Sequence, residues 1–228
     1  MSSTYLALCQ KMVSDLGLTN SITTVVSQTG MSAKVVNWIA DADEAVQTLW
    51  ANWNFLWSQH SDNTIDSTRS YSKPSGLGTW DKDSFYLDYT EDDYQHLTEI
   101  PYTVWRESFR QGTQTTGKPD HFIITPAGNI YLEPIPDGAY ALTADYWKAP
   151  TRMTTNTSTS AIPGRFERII IAQAKIYYAE HEEFPSVLEL ATNEYNDLLR
   201  RLESAELNGF EPIRRSQAVD INMVERII

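Results

Sequence analysis

Apolar residues recur at helical spacing toward both ends of the chain and at strand spacing in its middle. Near the N-terminus Tyr5, Cys9, Met12, Val13 and Leu16 share one helical face. Ser2 or Ser3 stands where a cap belongs and Gly17 where the helix should end, so the pattern predicts a helix to about residue 16. Residues 18–30 are rich in Thr, Ser and Asn and read as a loop. Beyond them Val35, Ile39, Ala42, Val46, Leu49, Trp50, Trp53 and Trp57 recur at steps of three and four and predict a long second helix over about 32–57. It would carry Trp38, Trp50, Trp53 and Trp57. The last three share the stripe of Val46 and Leu49, which favours core packing over a subunit interface or a ligand platform.

The middle of the chain changes period. Residues 58–78 are polar and turn-rich, an exit from the helical part, and 80–89 alternates as a strand. A short helix or strand is expected at 92–98 and another element at 103–110, with Pro101 interrupting. From Gly117 to Pro150 three β-prone runs are separated by Pro126-Ala127-Gly128-Asn129 and by Pro134-Ile135-Pro136-Asp137-Gly138. In the second, Pro136, Asp137 and Gly138 suit a type I turn. Ile130 and Leu132 share a face; Tyr140, Leu142, Ala144 and Tyr146 share another, with Thr143 and Asp145 opposite. The expectation is a three-stranded antiparallel meander at about 120–125, 129–133 and 139–147. Residues 151–162, dominated by Thr and Ser, read as a linker or exposed arm.

Helical spacing returns at Pro163, where Phe166, Ile169, Ile170, Ala174, Tyr177 and Tyr178 lead to Phe184 and Pro185 stops the helix. Ser186-Val187-Leu188-Glu189 matches a capping box for another helix. Its positions Leu188, Ala191, Tyr195, Leu198, Leu202 and Ala205 form a heptad-like seam, and Gly209 suits the position past its end. The two helices should form an antiparallel hairpin. The final stretch holds Ile213, Val219, Ile221, Met223, Val224, Ile227 and Ile228, too many apolar side chains for a free tail, while Pro212 prevents one continuous amphipathic helix. Arg214, Arg215 and Arg226 balance Glu211, Asp220 and Glu225. This is the composition of a docking arm; folding back on its own subunit is the alternative. The fold class is therefore α+β: a helical framework of 1–57 and 163–207, a β-rich insertion of 58–162 and an extended C-terminal arm of 208–228.

Composition narrows the function. The 228 residues, 41% hydrophobic and 21% charged, suffice for one large domain or two small ones with a real core. Cys9 is the lone cysteine, so no intrachain disulfide is possible and a reducing compartment fits. Lys11 and Asp15 within the first residues, and no apolar run near the ~18 that a span needs, argue against a secretory signal or membrane helix. The formal charge of −12 disfavours wrapping nucleic acid. Between residues 81 and 99 lie Asp81, Asp83, Asp88, Glu91, Asp92, Asp93 and Glu99 against Lys82 alone. That is a solvated acidic face, a surface that repels DNA, or a docking patch for a basic partner. His60, His96, His121 and His181 lack metal-ligand spacing, and in His181-Glu182-Glu183 neighbouring residues should point to different helix faces. The carboxylates Asp41, Asp43 and Glu44, or Asp92 and Asp93, are the nearest thing to a catalytic pair. No nucleophile elbow, phosphate loop or dinucleotide fingerprint occurs, and Gly76-Leu77-Gly78 is an isolated pair of glycines. Neither an enzyme nor a cofactor or metal is expected.

One combination of features is more specific. Two N-terminal helices, the second rich in aromatics, precede Gly117-Lys118-Pro119-x-x-Phe122, then Ile130-x-Leu132-x-Pro134-x-Pro136-Asp137-Gly138-x-Tyr140, Tyr146-Trp147, Ile162-Pro163 and a helical hairpin. Over about residues 3–207 this resembles the head–tail adaptor (head-completion or connector) proteins of tailed bacteriophages. The resemblance implies a structural virion protein at the head–tail junction, assembled in the host cytoplasm. Such proteins form a ring homo-oligomer, commonly a dodecamer, whose helices pack between neighbours. One side meets the portal protein, reached by the C-terminal segment, and the other a tail or nozzle protein, while DNA passes through without specific binding and no membrane is involved. Two other readings stand beside it: a carbohydrate-binding module of a phage tail or surface protein, using exposed tryptophans, and a small hydrolase, using a carboxylate pair in a cleft.

Overall fold

The computed structural model describes residues 2–19, 21–90, 93–110 and 114–207. In chain order the elements are α1 (Tyr5–Asp15), α2 (Gly30–Thr48), β1 (Trp57–Asn63), β2 (Ser70–Tyr71), β3 (Leu77–Trp80), β4 (Tyr86–Thr90), β5 (Asp93–His96) and β6 (Thr98–Glu99). They continue with α3 (Tyr102–Ser108), β7 (Thr116–Gly117), β8 (His121–Ile124), β9 (Ile130–Glu133), β10 (Ile135–Pro136), β11 (Ala141–Lys148), α4 (Arg168–His181) and α5 (Pro185–Glu206). The fold is α+β, and the chain divides into two compact units. One is Met1–Phe55 together with the chain from Pro150 onward; the other is Leu56–Ala149.

In the helical unit Thr4, rather than Ser2 or Ser3, caps α1: its hydroxyl accepts the Ala7 N–H at 3.3 Å. Gly17, with φ +64°, closes the other end as expected. Helix α2 stops at Thr48, well short of residue 57. The tryptophans that prolong its stripe in the sequence serve its end instead. Trp53 is fully buried and its indole N–H donates to the Val46 carbonyl at 3.1 Å, in the last turn of the helix, where Leu49 N–H also donates to it at 3.4 Å. Trp50 donates to Glu203 of α5 at 2.9 Å, Trp57 opens β1 exposed to solvent, and of the four only Trp38 lies on the helix. Helix α4 is buried on nearly every side, through Ile169, Ile170, Ile171, Ala172, Ala174, Tyr178 and Ala179, because α1, α2 and α5 all pack on it. Each such Ile contributes about 1.5–3 kcal/mol by burial. Helix α5 starts at Pro185, and Phe184 caps it without a side-chain bond, so no capping box forms at Ser186. Along the predicted seam Ala191 and Leu202 are buried, while Leu188, Tyr195, Leu198 and Ala205 are half-buried.

Residues 151–162 are neither linker nor exposed arm. They are a strap bound to α1 and α2. The Tyr5 N–H donates to the Ser158 carbonyl at 2.7 Å, and Thr4 forms a β-bridge with Thr159. Asn156 Oδ1 accepts the Val25 N–H at 2.7 Å, and Thr151 N–H donates to Gln47 Oε1 at 3.1 Å. Met153 and Ile162 are buried beneath it. The Thr/Ser/Asn composition that suggests a linker supplies the polar groups that satisfy this backbone.

The β unit is two sheets with a shared core. One runs β1-β11-β4-β5, with β3 also on β11; the other runs β2-β9-β8-β6; β10 and β7 form a separate parallel pair. Strands β8 and β9 pair antiparallel as expected, but the third strand of the predicted meander, β11, belongs to the other sheet. The β8–β9 turn is tight, with Gly128 at φ +88°. The segment after β9 instead carries Pro134 and Pro136, which have no N–H to donate to a ladder, and it takes the chain across to the second sheet. There Leu142, Ala144 and Tyr146 of β11 and Leu87 of β4 pack with Phe122, Ile130 and Leu132 of β8 and β9, and the Phe85 and Phe122 rings stack at 3.8 Å. Strand β1, all polar after Trp57, lies in the stretch expected as turns and is held by seven register pairs to β11. The run expected as one strand over 80–89 is interrupted between β3 and β4 by a turn in which Asp81 accepts the Asp83 N–H at 3.2 Å. Strands β5 and β6 lie in and just beyond the stretch where a short helix or strand is expected at 92–98, and α3 answers to the element expected at 103–110.

Candidate interaction surfaces

In β4 the alternation sends Leu87 into the core and Tyr86 and Asp88 outward. The antiparallel register sets Tyr86 opposite His96 and Asp88 opposite Tyr94. Tyr94 is 68% exposed, the Tyr86 and His96 rings meet edge-on at 5.0 Å, and His96 Nε2 lies 3.0 Å from the Asp83 carbonyl, to which it donates. Of the predicted acidic residues, Asp83 and Asp88 are exposed beside these aromatics and Asp81 is spent on the turn. Asp93 is ion-paired to Lys118 at 2.9 Å, and Lys82 to Glu99 at 2.7 Å. Asp92 lies outside the described residues. The patch is thus less negative than its composition and more aromatic.

Helix α3 lies on the outer side of the other sheet. Trp105 packs edge-on against Tyr131 of β9 at 5.2 Å and donates to Glu133 at 3.3 Å; Arg69 pairs with the same Glu133 oxygen at 2.9 Å and sits over the Trp105 ring at 5.5 Å. The rest of the helix and the turn that follows it face solvent: Val104 is 47% and Phe109 40% exposed, with Arg106 on the helix and Arg110 just past its end. Sequence reasoning missed this surface. Its signal was Arg106 and Arg110 four residues apart in sequence beside two large apolar residues.

On the helical unit Leu190 is 72% exposed at the lip of a groove of about 240 Å³ that Leu16, Val187 and Ala191 also line. Asp15, Lys175 and Glu194 line it as well and are tied in an ion-pair network: Asp15 with Arg168 at 2.5 Å and Lys175 at 3.0 Å, and Glu194 with Arg168 at 2.6 Å. The arm positions Ile213, Arg214, Arg215, Val219, Ile221, Met223, Val224, Ile227 and Ile228 all lie outside the described residues.

The chemistry considered from sequence takes other roles. Asp41 and Glu44 both hold Arg152, at 2.5 and 3.1 Å. Asp43 is buried and accepts from Ser160 at 2.5 Å and Gln47 at 2.9 Å. Burial pushes its carboxyl up to about 6, against the pull of those two hydrogen bonds. His181 does contact its neighbour Glu182, at 2.8 Å, because the helix ends there, and Lys34 donates to its other ring nitrogen. Among the described residues no group of three or more His, Cys, Asp or Glu is placed to hold a metal ion. Of the seven tryptophans Trp57 alone is exposed, and Trp38, half-buried, lines a cavity of about 560 Å³ with Asp41, Tyr177, Glu180 and His181.

The family model for the SU10 adaptor protein matches residues 3–218, and the chain belongs to that family of bacteriophage head–tail adaptors. It is a structural component of the virion that interacts with other head and tail proteins. No curated protein matches the chain. No helix among the described residues is long and apolar enough to cross a membrane.

Proposed function

We propose that copies of this chain form a ring, a dodecamer, between the portal and the tail, enclosing a channel for DNA. The observation that carries this reading is the family match over residues 3–218. In it the framework of 1–57 and 163–207 builds the wall, 58–162 is an insertion on it, and the 208–228 arm docks on the portal through Ile213, Val219, Ile221, Met223, Val224, Ile227 and Ile228, with Arg214 and Arg215 for complementary charge. A tail or nozzle protein binds the opposite side. The net charge of −12 supports a channel that DNA slides through, because retention of DNA comes from cations on phosphates.

Electron microscopy of the purified chain, alone and with its portal, tests the ring, and closed particles are expected. Truncation after Gly209 tests the arm. The shortened chain should keep its melting temperature and lose attachment to the portal; attachment at full affinity would assign the link elsewhere.

A further inference from the structure

The two outward surfaces of the β unit are complementary, and they lie on different sheets. Leu87 enters the shared core while Tyr86 and Asp88 point away from it on one side. On the other sheet Ile130 and Leu132 enter the same core while Tyr131 points away and carries α3 through Trp105. The first surface is acidic and aromatic: Asp83, Tyr86, Asp88, Tyr94 and His96. The second offers Arg106 and Arg110 beside exposed Val104 and Phe109, with Glu107 as the one acid on that helix.

We infer that these surfaces bind each other between successive copies, the β4–β5 face of one chain receiving α3 of the next. Guanidinium groups match both partners on the receiving face, pairing with carboxylates and lying over tyrosine rings. Phe109 and Val104 supply the apolar anchor such contacts need at their centre. Because the two surfaces are different patches on one chain, the contact is head-to-tail: each copy uses both surfaces at once. Repetition then closes a ring or extends a filament, whereas a self-complementary patch would stop at a dimer. The second copy is the occupant that the charge arrangement selects, since one chain carries both halves. This contact rests on the ring reading and assigns it an interface.

Charge exchange tests the pairing. Asp83→Arg with Asp88→Arg makes both surfaces basic; Arg106→Glu with Arg110→Glu makes both acidic. In sedimentation, each doubly substituted chain alone is expected to lose the multimers formed by the original protein, and an equimolar mixture to regain them. Disulfide trapping gives an independent readout, since Cys9 is buried and does not interfere. Tyr94→Cys combined with Phe109→Cys should give a ladder of crosslinked chains on mild oxidation, and each single substitution should not. Multimers that persist in both charge variants, loss without recovery on mixing, or no ladder from particles that still form would each overturn this contact and leave the ring standing. A chain that stays single, alone and with its portal, would remove the ring as well.

Discussion

The helical unit and the β unit are held together by different materials. In the helical unit Asp43, Gln47, Asn52, Ser160, Glu167 and Glu206 are buried, and several of them bond the strap and the first residues to the helices; Ser3 N–H, for instance, donates to Glu167 at 2.7 Å. Among its described residues the β unit buries only Thr64, Thr125 and Glu133 of this kind, and its centre is a chain of rings running through Tyr146, Trp80, Phe85 and Phe122. A buried polar network is directional and responds to protonation. An aromatic core responds chiefly to lost volume, and its answer to pH runs mainly through His60, which packs on Trp80 and whose pKa burial lowers. The two units should therefore fail under different insults.

The sharpest test of the aromatic side is Phe85→Ala, which removes a fully buried ring stacked on Phe122 and should cost about 3–5 kcal/mol in denaturant unfolding. A loss below about 1 kcal/mol would mean that the sheets close over the gap. On the helical side Leu202→Ala should cost about 2–5 kcal/mol, and Leu198→Ala, half-buried on the same seam, clearly less. Equal costs would show that α5 is covered along its whole length in the species being measured.

The polar network predicts a pH effect of defined sign. Asp43 is raised by burial to about 6 when folded, above its value in the unfolded chain. Its contribution to stability is therefore complete below about pH 4 and declines as pH rises through about 6, by up to roughly 3 kcal/mol. Asp43→Asn should flatten that window, and an unchanged stability profile would contradict the assignment. The smallest effect is expected from the exposed pair: Asp93→Asn should change stability by less than about 1 kcal/mol, and less still in high salt.

What was legible in the sequence follows the same division. The α4–α5 hairpin and the core face of α1 depend on neighbours three and four residues apart, and periodicity reports such neighbours directly. Helix α2 was over-extended because Trp50, Trp53 and Trp57 keep the helical step after the helix has ended; the step cannot show that Trp53 turns back onto Val46. Strand β1 was missed because an edge strand paired through its backbone needs no apolar alternation. The strap was missed because its partners on α1 and α2 are more than 100 residues away, as in the Ser160–Asp43 and Thr151–Gln47 bonds. Of the interaction surfaces, the acids were legible as a run, but their sharing of a face with Tyr86 and Tyr94 depends on the β4–β5 register, which composition does not encode.

The pairing of β1 with β11 has a consequence for how the chain reaches its fold. Trp57 lies opposite Trp147, so the points where the chain enters and leaves the β unit are clasped side by side. The helical unit is interrupted in sequence, and α2 must wait for α4 until the whole β unit has been made. Once that unit folds, the loop between α2 and α4 shrinks from roughly 120 residues to about 30, lowering the entropic barrier to joining the helices by on the order of 1 kcal/mol. In refolding followed by circular dichroism, the strand signal should precede the helical one; the reverse order would show that the helices find each other without the clasp. What reads in sequence as an interruption of the helical framework acts in time as the clamp that brings its two halves within reach.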